Sequence, residues 1–182
     1  MSEQVVAVPA AMEQERPREE PEQRVAALFD AHHARLFRLA RRLVRQSDDA
    51  ADAVQETFLR AARSPQRVPD GRQNEEAWLV RVLINVCKDS WRYAAVRTRA
   101  AAIQRPPSGA VNPEPGMLAH TMVWEALDRL APRRRAILVL YELEGATIPA
   151  IAQLLRIAPV TVRWHLMMGR REMAKALGDG NG

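Results

Sequence analysis

The sequence contains a single cysteine, Cys87, and few aromatic residues. One cysteine excludes a disulfide within the chain and any zinc site built from several thiolates. Aromatic residues make up 5% of the chain, whereas hydrophobic residues make up 47%. The cores must therefore be built mainly from Leu, Val, Ala and Ile, a mixture that favours helices over sheets.

Long apolar segments are also missing. No uninterrupted apolar run is long enough to span a bilayer. The first residues lack the basic segment followed by an apolar run that marks a signal peptide. We therefore expect a cytoplasmic protein without membrane insertion.

Lysine is nearly absent as well, because Lys88 and Lys175 are the two lysines of the chain and arginine carries the remaining positive charge. The formal net charge is +5. Residues 1–23 are acidic, so the remainder of the chain is more basic than this value. A basic body favours a polyanionic partner through phosphate contacts and counterion release. The alternative is that abundant arginine reflects genomic base composition.

Helical periodicity defines two groups of segments. Apolar residues recur at steps of three and four in three segments before residue 100 and in four segments after residue 120. Ser47, Asn74 and Thr147 are predicted N-caps. Between the groups, residues 104–116 (QRPPSGAVNPEPG) are too rich in proline and glycine to form a core. The sequence predicts an all-α protein with a disordered acidic tail at residues 1–23, a three-helix bundle at 24–100, a flexible linker at 101–119 and a four-helix domain at 120–178.

The last two predicted helices have the spacing of a helix-turn-helix. A short turn at Ile157 and Ala158 separates them, and Val162 and Leu166 give the final helix an apolar face. Such a unit places its second helix in the major groove. Arg163 points away from that apolar face and can reach a guanine or a phosphate. Arg170, Arg171 and Lys175 further along suit the DNA backbone. The alternative is an ordinary helical hairpin in a bundle.

The third predicted helix carries a mixed polar stripe. Five residues at steps of three and four share one face: Trp78, Arg81, Asn85, Lys88 and Arg92. Apolar and small residues occupy the opposite side: Leu79, Val82, Leu83, Val86 and Ser90. The stripe offers cations for phosphates, an amide for base edges and a ring on which an unstacked base can lie. The alternative is a solvated face with Trp78 in the core.

The second predicted helix concentrates acidic residues in an arginine-rich chain. These are Asp48, Asp49, Asp52 and Glu56, with Gln55 among them. Neighbouring carboxylates can perform acid–base chemistry, but no His, Cys or Ser joins them at a suggestive spacing. The histidines show no metal-binding spacing, and no phosphate-binding loop or nucleophile elbow is present. The pattern favours a partner-binding face and predicts no enzyme, catalytic residue, metal, cofactor or small-molecule substrate.

Three segments together resemble the extracytoplasmic-function (ECF) sigma factors of the sigma-70 family. FRLARRL (residues 37–43) and SDDAADAVQETFLRAAR (47–63) look like sigma region two, and AWLVRVLINVCKDSWR (77–92) looks like its continuation. LDRLAPRRRAILVLYELEGATIPAIAQLLRIAPVTVRWHL (127–166) resembles region four. The resemblance implies no catalytic activity, and it implies core RNA polymerase, promoter DNA and an inhibitory anti-sigma factor as partners.

The resemblance also implies three sets of site residues. Those that match the polymerase-docking segment are Asp49, Asp52, Val54, Gln55, Glu56 and Leu59. Those that match the helix that opens and reads the minus-ten element are Trp78, Arg81, Asn85, Lys88 and Arg92, with Asn85 near a flipped-out base. Those assigned to the minus-35 reading helix are Thr161, Arg163, Trp164 and Met168.

The chain departs from the family pattern in region four. Trp164 and His165 stand where a Ser-Arg pair is usual, and Met168 and Gly169 stand where a basic residue and alanine are common. Missing cations weaken phosphate contacts.

Two other classes of protein are weighed against this interpretation. One is a helix-turn-helix transcriptional regulator that is not a sigma factor. The acidic second helix argues against it, since such a regulator needs no polymerase-docking segment. The other is a helical nucleic-acid-processing enzyme, which lacks a catalytic constellation.

Overall fold

The computed structural model describes residues 21–101 and 115–178, with side chains described for 22–93 and 119–178. These residues form seven α-helices and no β-strand, which confirms the all-α prediction. The helices are α1 (Pro21–Leu43), α2 (Ser47–Arg63), α3 (Arg72–Ala101), α4 (Pro115–Arg129), α5 (Pro132–Glu142), α6 (Ile148–Leu155) and α7 (Pro159–Gly178). Most of the predicted tail and linker lies outside the described residues.

The first bundle is formed by α1, α2 and α3. Leu36, Leu39 and Leu43 of α1 are fully buried, as their spacing predicts. They belong to one core with Val54 and Phe58 of α2. Burial of an aliphatic or aromatic side chain of this size stabilises the fold by about 1.5–3 kcal/mol. The core is therefore aliphatic with few aromatic members, as the composition requires.

The second bundle contains the helix-turn-helix of α6 and α7. Oγ1 of Thr147 accepts a hydrogen bond from the Ala150 amide at 3.3 Å, which confirms this predicted cap. Arg156 ends α6 in the left-handed conformation, with φ of 53°, and its N–H bonds back to carbonyls of α6. The chain can then turn into α7 at Pro159, a residue whose fixed φ suits a first helical position.

The other two predicted N-caps, Ser47 and Asn74, are wrong. Gln46 occupies the cap position of α2 and no side chain caps that helix, so Ser47 is its first residue. Before α3, Gly71 adopts a φ of 92° and its carbonyl accepts from the amides of Asn74 and Glu75 at 2.8 and 2.9 Å. The glycine turn thus starts the helix at Arg72, and Asn74 is not the cap.

The start of α4 also differs from the prediction. The helix begins at Pro115, inside the segment assigned to the linker, rather than near Thr121. Proline lacks only an N–H that a helix start leaves unpaired anyway. The proline that indicated a linker therefore begins a helix.

The two bundles pack on each other, α3 against α5 and α6, and α1 against α5. Their buried residues form one continuous core cluster. Arg135 of α5 lies at this junction with only 3% of its surface exposed. Its Nη2 donates to the Leu43 carbonyl at 2.9 Å, and its guanidinium lies 4.5 Å from the ring centre of Trp91 on α3. Arg135 of α5 therefore contacts both α1, through Leu43, and α3, through Trp91.

Further polar contacts link the two bundles. Arg42 Nη1 donates to the Leu143 carbonyl at 2.6 Å, and Arg35 pairs with Glu144 at 2.6 Å. Glu144 also accepts from Arg42, although its side chain is only 6% exposed. One carboxylate of the second bundle thus pairs with two arginines of α1, which helps to fix the relative position of the bundles.

Candidate nucleic-acid and protein interfaces

The polar stripe of α3 faces the junction between the bundles. Arg81, Asn85 and Lys88 line a cavity of about 70 Å³ together with Arg133 of α5. We call these four residues the cationic cleft. The structure therefore brings three of the five predicted minus-ten residues together and adds Arg133, which local periodicity on α3 could not reveal.

The side chains of the cationic cleft are held and crowded. Arg81 Nε donates to the Leu154 carbonyl of α6 at 2.9 Å, and Lys88 Nζ donates to Oδ1 of Asn85 at 3.4 Å. Burial lowers the pKa of the Lys88 ammonium group, and the nearby charges of Arg133 and Arg92 lower it further. Crowded cations with incomplete solvation are stabilised by an anion, so the cleft suits a phosphate group.

The other two residues of the predicted stripe lie apart from the cleft. Trp78 is half-buried and packs against the hydrophobic core, which is the arrangement favoured by the alternative interpretation. Arg92 is exposed and forms an ion pair with Asp89 at 3.5 Å. A stacking role for Trp78 would require the ring to leave this packing.

The buried side of α3 is broader than the sequence indicated. Leu79 and Leu83 are buried as predicted, but Ser90 is exposed. Further residues of α3 are buried as well: Val80, Ile84 and Cys87. They are covered because α3 packs against both bundles, whereas the periodicity of one helix indicates a single apolar stripe.

The predicted docking residues of α2 divide by accessibility. Asp49, Asp52, Gln55 and Leu59 are exposed, whereas Val54 is buried in the core. Glu56 is engaged within its own helix. Arg60 donates to its carboxylate at 2.8 Å and lowers its pKa, and Arg63 lies 3.7 Å away. Of the predicted docking acids, Asp49 and Asp52 are therefore the accessible ones, and Asp48 of the same helix is exposed as well.

A groove beside these acids was missed by the sequence analysis. It lies between α1 and α2 and has a volume of about 300 Å³. Phe29 stacks on His33 at a centroid distance of 4.5 Å and contacts Phe58 at 5.0 Å. We call this the aromatic groove; its lining is Val25, Phe29, His33, Phe37, Ala51, Val54, Gln55, Phe58, Leu59 and Ala62. The spacing of Phe29, His33 and Phe37 at every fourth residue was the signal.

On α7, the structure separates the predicted DNA-reading residues. Arg163 and Trp164 are exposed, while Thr161 and Met168 are half-buried. Val160 and Met167, which the sequence analysis did not select, are more exposed than Met168. The exposed large hydrophobic residues of α7 are therefore Val160, Trp164 and Met167, and Arg163 is exposed beside them.

The remaining candidates for chemistry are inert or isolated. Burial raises the pKa of the Cys87 thiol to about 12, so the reactive thiolate is scarce at neutral pH. Within the described ranges, no three His, Cys, Asp or Glu side chains are placed to hold a metal ion. In the same ranges, no helix has the length and hydropathy needed to cross a membrane.

Comparison with known proteins identifies both halves. The Sigma-70 region 2 family model matches residues 28–97, and the Sigma-70, region 4 model matches residues 120–173. ECF RNA polymerase sigma factor SigM of Mycobacterium tuberculosis is 34% identical over 159 residues, covering 83% of this chain and 76% of that protein. ECF RNA polymerase sigma factor SigL of the same species is 31% identical over 154 residues, covering 83% and 87%.

Solved structures share the fold. The complex of sigma factor RpoE with anti-sigma factor NepR from Bartonella quintana matches 86% of this chain and 96% of that chain, with a TM-score of 0.56 and 23% identity. CnrH in complex with the cytosolic domain of CnrY matches 89% and 96%, with a TM-score of 0.59 and 22% identity.

Proposed function

The chain belongs to the ECF RNA polymerase sigma factors, and we propose that its two bundles divide promoter recognition between them. Residues 24–100 form the unit that docks on core RNA polymerase and opens the minus-ten element. Residues 120–178 form the unit that reads the minus-35 duplex. Family membership does not favour the alternative of a regulator that is not a sigma factor.

The cationic cleft supports the assignment of minus-ten recognition. Asn85 carries an amide that can pair with a base edge, and Arg81, Lys88 and Arg133 supply positive charge around it. An unpaired strand needs both kinds of contact, with phosphates for affinity and a base for selection. This convergence of one amide and three cations is the observation that carries the proposal.

The packing of the bundles has a consequence for DNA binding. The cationic cleft lies at the junction, and Arg81 donates a hydrogen bond to the Leu154 carbonyl of α6. Asn85 and Arg133 are exposed, whereas Arg81 is held against α6, so a strand of DNA can contact Arg81 fully only when the bundles separate. We infer that the structure represents a closed form and that promoter opening uses a separated form.

Docking on the polymerase uses surfaces that the closed form leaves accessible. Asp49 and Asp52 are exposed on α2, next to the aromatic groove. Apolar area supplies affinity, and the acids supply orientation and association rate. The sigma factor acts in the cytoplasm, where its polymerase works, and contributes no catalytic group of its own. An anti-sigma factor is its proposed inhibitory partner; the structurally similar RpoE is in complex with the anti-sigma factor NepR.

Binding to core RNA polymerase tests the docking proposal. The variant Asp49→Lys/Asp52→Lys should bind core enzyme at least about ten-fold more weakly, because it reverses two interface charges. Its free energy of unfolding should change by less than about 0.5 kcal/mol per exposed site. Glu125→Lys, an exposed acid on α4, is the matched control and should bind normally.

Run-off transcription from the upstream DNA of the protein's own gene completes the test. The wild-type chain should direct initiation by core enzyme, and the charge-reversed variant should lose it in proportion to its weaker binding. Unchanged affinity of the double variant for core enzyme would show that docking uses another surface.

A further inference from the structure

The first turns of α7 expose three large apolar side chains, where a DNA-reading helix ordinarily carries polar ones. Val160, Trp164 and Met167 are 66%, 49% and 60% exposed. At about 100° per residue they fall within about 60° of one another around the helix. Val162, Leu166 and Gly169 are buried on the other side. We call the three exposed residues the apolar stripe. The three side chains lie outside the buried core of their own bundle.

The surroundings of the apolar stripe carry positive charge. Arg163 is exposed along one edge, and Arg171 and Lys175 are exposed on the following turns of the same face. None of these three cations forms an ion pair with a residue whose side chain the structure describes. An apolar centre bordered by uncompensated cations complements a partner with apolar groups between rows of negative charge.

The Trp164 ring is held in a defined orientation. The Arg134 guanidinium lies 5.3 Å from its ring centre, and the His165 ring meets it edge-on at 4.9 Å. Arg134 is itself bonded to Glu172 of α7. Buried Gly169 lets α7 approach α5, since a Cβ there would lie 3.2 Å from Cγ of Arg134. The exposed tryptophan is thus positioned by its neighbours rather than free to collapse onto the surface.

The thymine-containing major groove has the required chemistry. Each thymine presents a C5-methyl group there, and apolar side chains contact it. Phosphates flank the groove on both sides. The first turns of a helix in the second position of a helix-turn-helix face the bases, and Val160 and Trp164 occupy those turns. None of the three side chains of the apolar stripe has the bidentate groups that read guanine or adenine.

We propose that the apolar stripe selects thymine methyl groups in the minus-35 element. The inference rests on the proposed function of α7 as the duplex-reading helix and specifies how that helix reads. Arg163, Arg171 and Lys175 hold the phosphates, and methyl contacts supply the sequence preference. Met167 takes the role that the sequence analysis gave to Met168.

Deoxyuridine substitution tests the proposal directly, because it removes the C5-methyl group and leaves the pairing edge unchanged. Minus-35 duplexes are selected from a randomised pool with the reconstituted holoenzyme. Each selected thymine is then replaced by deoxyuridine and affinity is remeasured. A fully contacted methyl group contributes roughly three- to five-fold in affinity, and the effect should be confined to two or three positions.

Variants connect the effect to the stripe. Met167→Gln preserves length and helix propensity, and Trp164→Ala removes the ring. At the base pair that the replaced side chain contacts, each variant should bind the thymine duplex and the deoxyuridine duplex with equal affinity. Arg163→Ala is the matched control, because it should weaken both duplexes alike and retain their ratio. Circular dichroism checks folding, and Met167→Gln retains the test should Trp164→Ala fail to fold.

The outcomes separate this inference from the function on which it rests. Selected sites without thymine, or equal affinity for thymine and deoxyuridine, overturn the methyl contacts while specific minus-35 binding still supports the duplex-reading role. Absence of any sequence preference overturns both. The Met167→Gln variant could instead keep the wild-type ratio of affinities for thymine and deoxyuridine duplexes and lose affinity for core enzyme. That result would make the stripe a protein-docking surface and overturn the inference.

Discussion

The two faces assigned to DNA differ in chemistry and in accessibility. The cationic cleft on α3 combines an amide with three cations, and it lies against α5 and α6. The apolar stripe on α7 consists of two aliphatic side chains and an indole, and it is open to solvent. One face is suited to phosphates and an unpaired base, whereas the other is suited to methyl groups of an intact duplex.

This difference indicates an order of events. Under the proposed function, duplex binding through α7 requires no rearrangement of the bundles, whereas a minus-ten strand contacts Arg81 fully only after they separate. The aromatic groove and the acids of α2 are also accessible in the closed form. Polymerase docking and minus-35 contact can therefore precede exposure of the cationic cleft.

Replacement of Arg135 should abolish the difference in accessibility between the cationic cleft and the apolar stripe. Arg135→Met removes a buried hydrogen bond from a charged group and leaves the Leu43 carbonyl without that donor. We expect the free energy of unfolding to fall by about 2–3 kcal/mol, with two thermal transitions where the wild-type chain shows one. Differential scanning calorimetry measures both.

Arg129→Met on neighbouring α4 is the control, because Arg129 is exposed, and its effect should stay below about 0.5 kcal/mol. A single transition at the wild-type temperature in Arg135→Met would show that this residue does not couple the bundles.

Substitutions in the two faces should separate their roles. Asn85→Ala should reduce minus-ten melting and base selectivity about ten-fold or more and leave minus-35 binding unchanged, because Asn85 supplies the amide of the cleft. Arg163→Ala should weaken minus-35 binding for all sequences alike and lower its salt dependence by about one counterion, because its guanidinium contacts a phosphate. Permanganate footprinting and duplex binding assays measure the two effects. Normal melting with the same base preference in Asn85→Ala would refute the minus-ten assignment.

Removal of the Lys88 charge should affect stability and DNA binding in opposite directions. Lys88→Gln relieves crowding with Arg92 and Arg133, so the closed form should gain up to about 0.5 kcal/mol after solvent screening. Binding to every promoter sequence should weaken, and the salt dependence should fall by about one counterion. Salt titrations and chemical denaturation measure these effects. Lys175→Gln, an exposed cation outside the cleft, is the control and should not stabilise the fold.

The sign of the pH effect follows from the same group. The lowered pKa of Lys88 means that the closed form binds its proton less tightly than the separated form does. The resulting loss of stability of the closed form is fully present below the lowered pKa. It is relieved as the pH rises through the lowered pKa towards the ordinary lysine value. The closed form should become relatively more stable over that interval in the wild-type chain, and Lys88→Gln should lose this dependence.

The Cys87 thiol can be used to detect opening of the junction without a substitution in the cleft. Its pKa of about 12 and its burial predict negligible alkylation by iodoacetamide at about pH 8. Alkylation should accelerate in Arg135→Met, because Cys87 lies on the buried side of α3 at the junction. Mass spectrometry of labelled protein measures the rate, with the urea-unfolded chain as the fully reactive reference. Equal rates in both folded proteins would indicate that the junction stays closed.

Local patterns predicted what local forces determine. The helix-turn-helix, the Thr147 cap and the exposure of Arg163 follow from residue spacing and one hydrogen bond. The starts of α2 and α3 were wrong because backbone groups of Gln46 and Gly71 replaced the expected side-chain caps. The cap lies one residue earlier than predicted at α2 and three residues earlier at α3, and both predicted helices are present.

Features of the junction could not be predicted in this way. The periodicity of α3 indicates one buried stripe, but contact with two bundles buries Val80, Ile84 and Cys87 as well. An arginine at position 135 is expected at the surface, yet the Leu43 carbonyl and the Trp91 ring accommodate it in the interior. Such partners are distant in sequence, so only the assembled structure reveals them.

Arg135 has a quantitative consequence for affinity. A ligand that binds only the separated form has its apparent affinity reduced by the fraction of molecules in that form. If about 1% of molecules are separated, the minus-ten strand binds about a hundred-fold more weakly than it would to a permanently separated chain. Ligands of α7 incur no such reduction. The strength of the junction contacts, the buried Arg135 guanidinium among them, therefore affects how strongly free sigma factor favours duplex DNA over melted promoter.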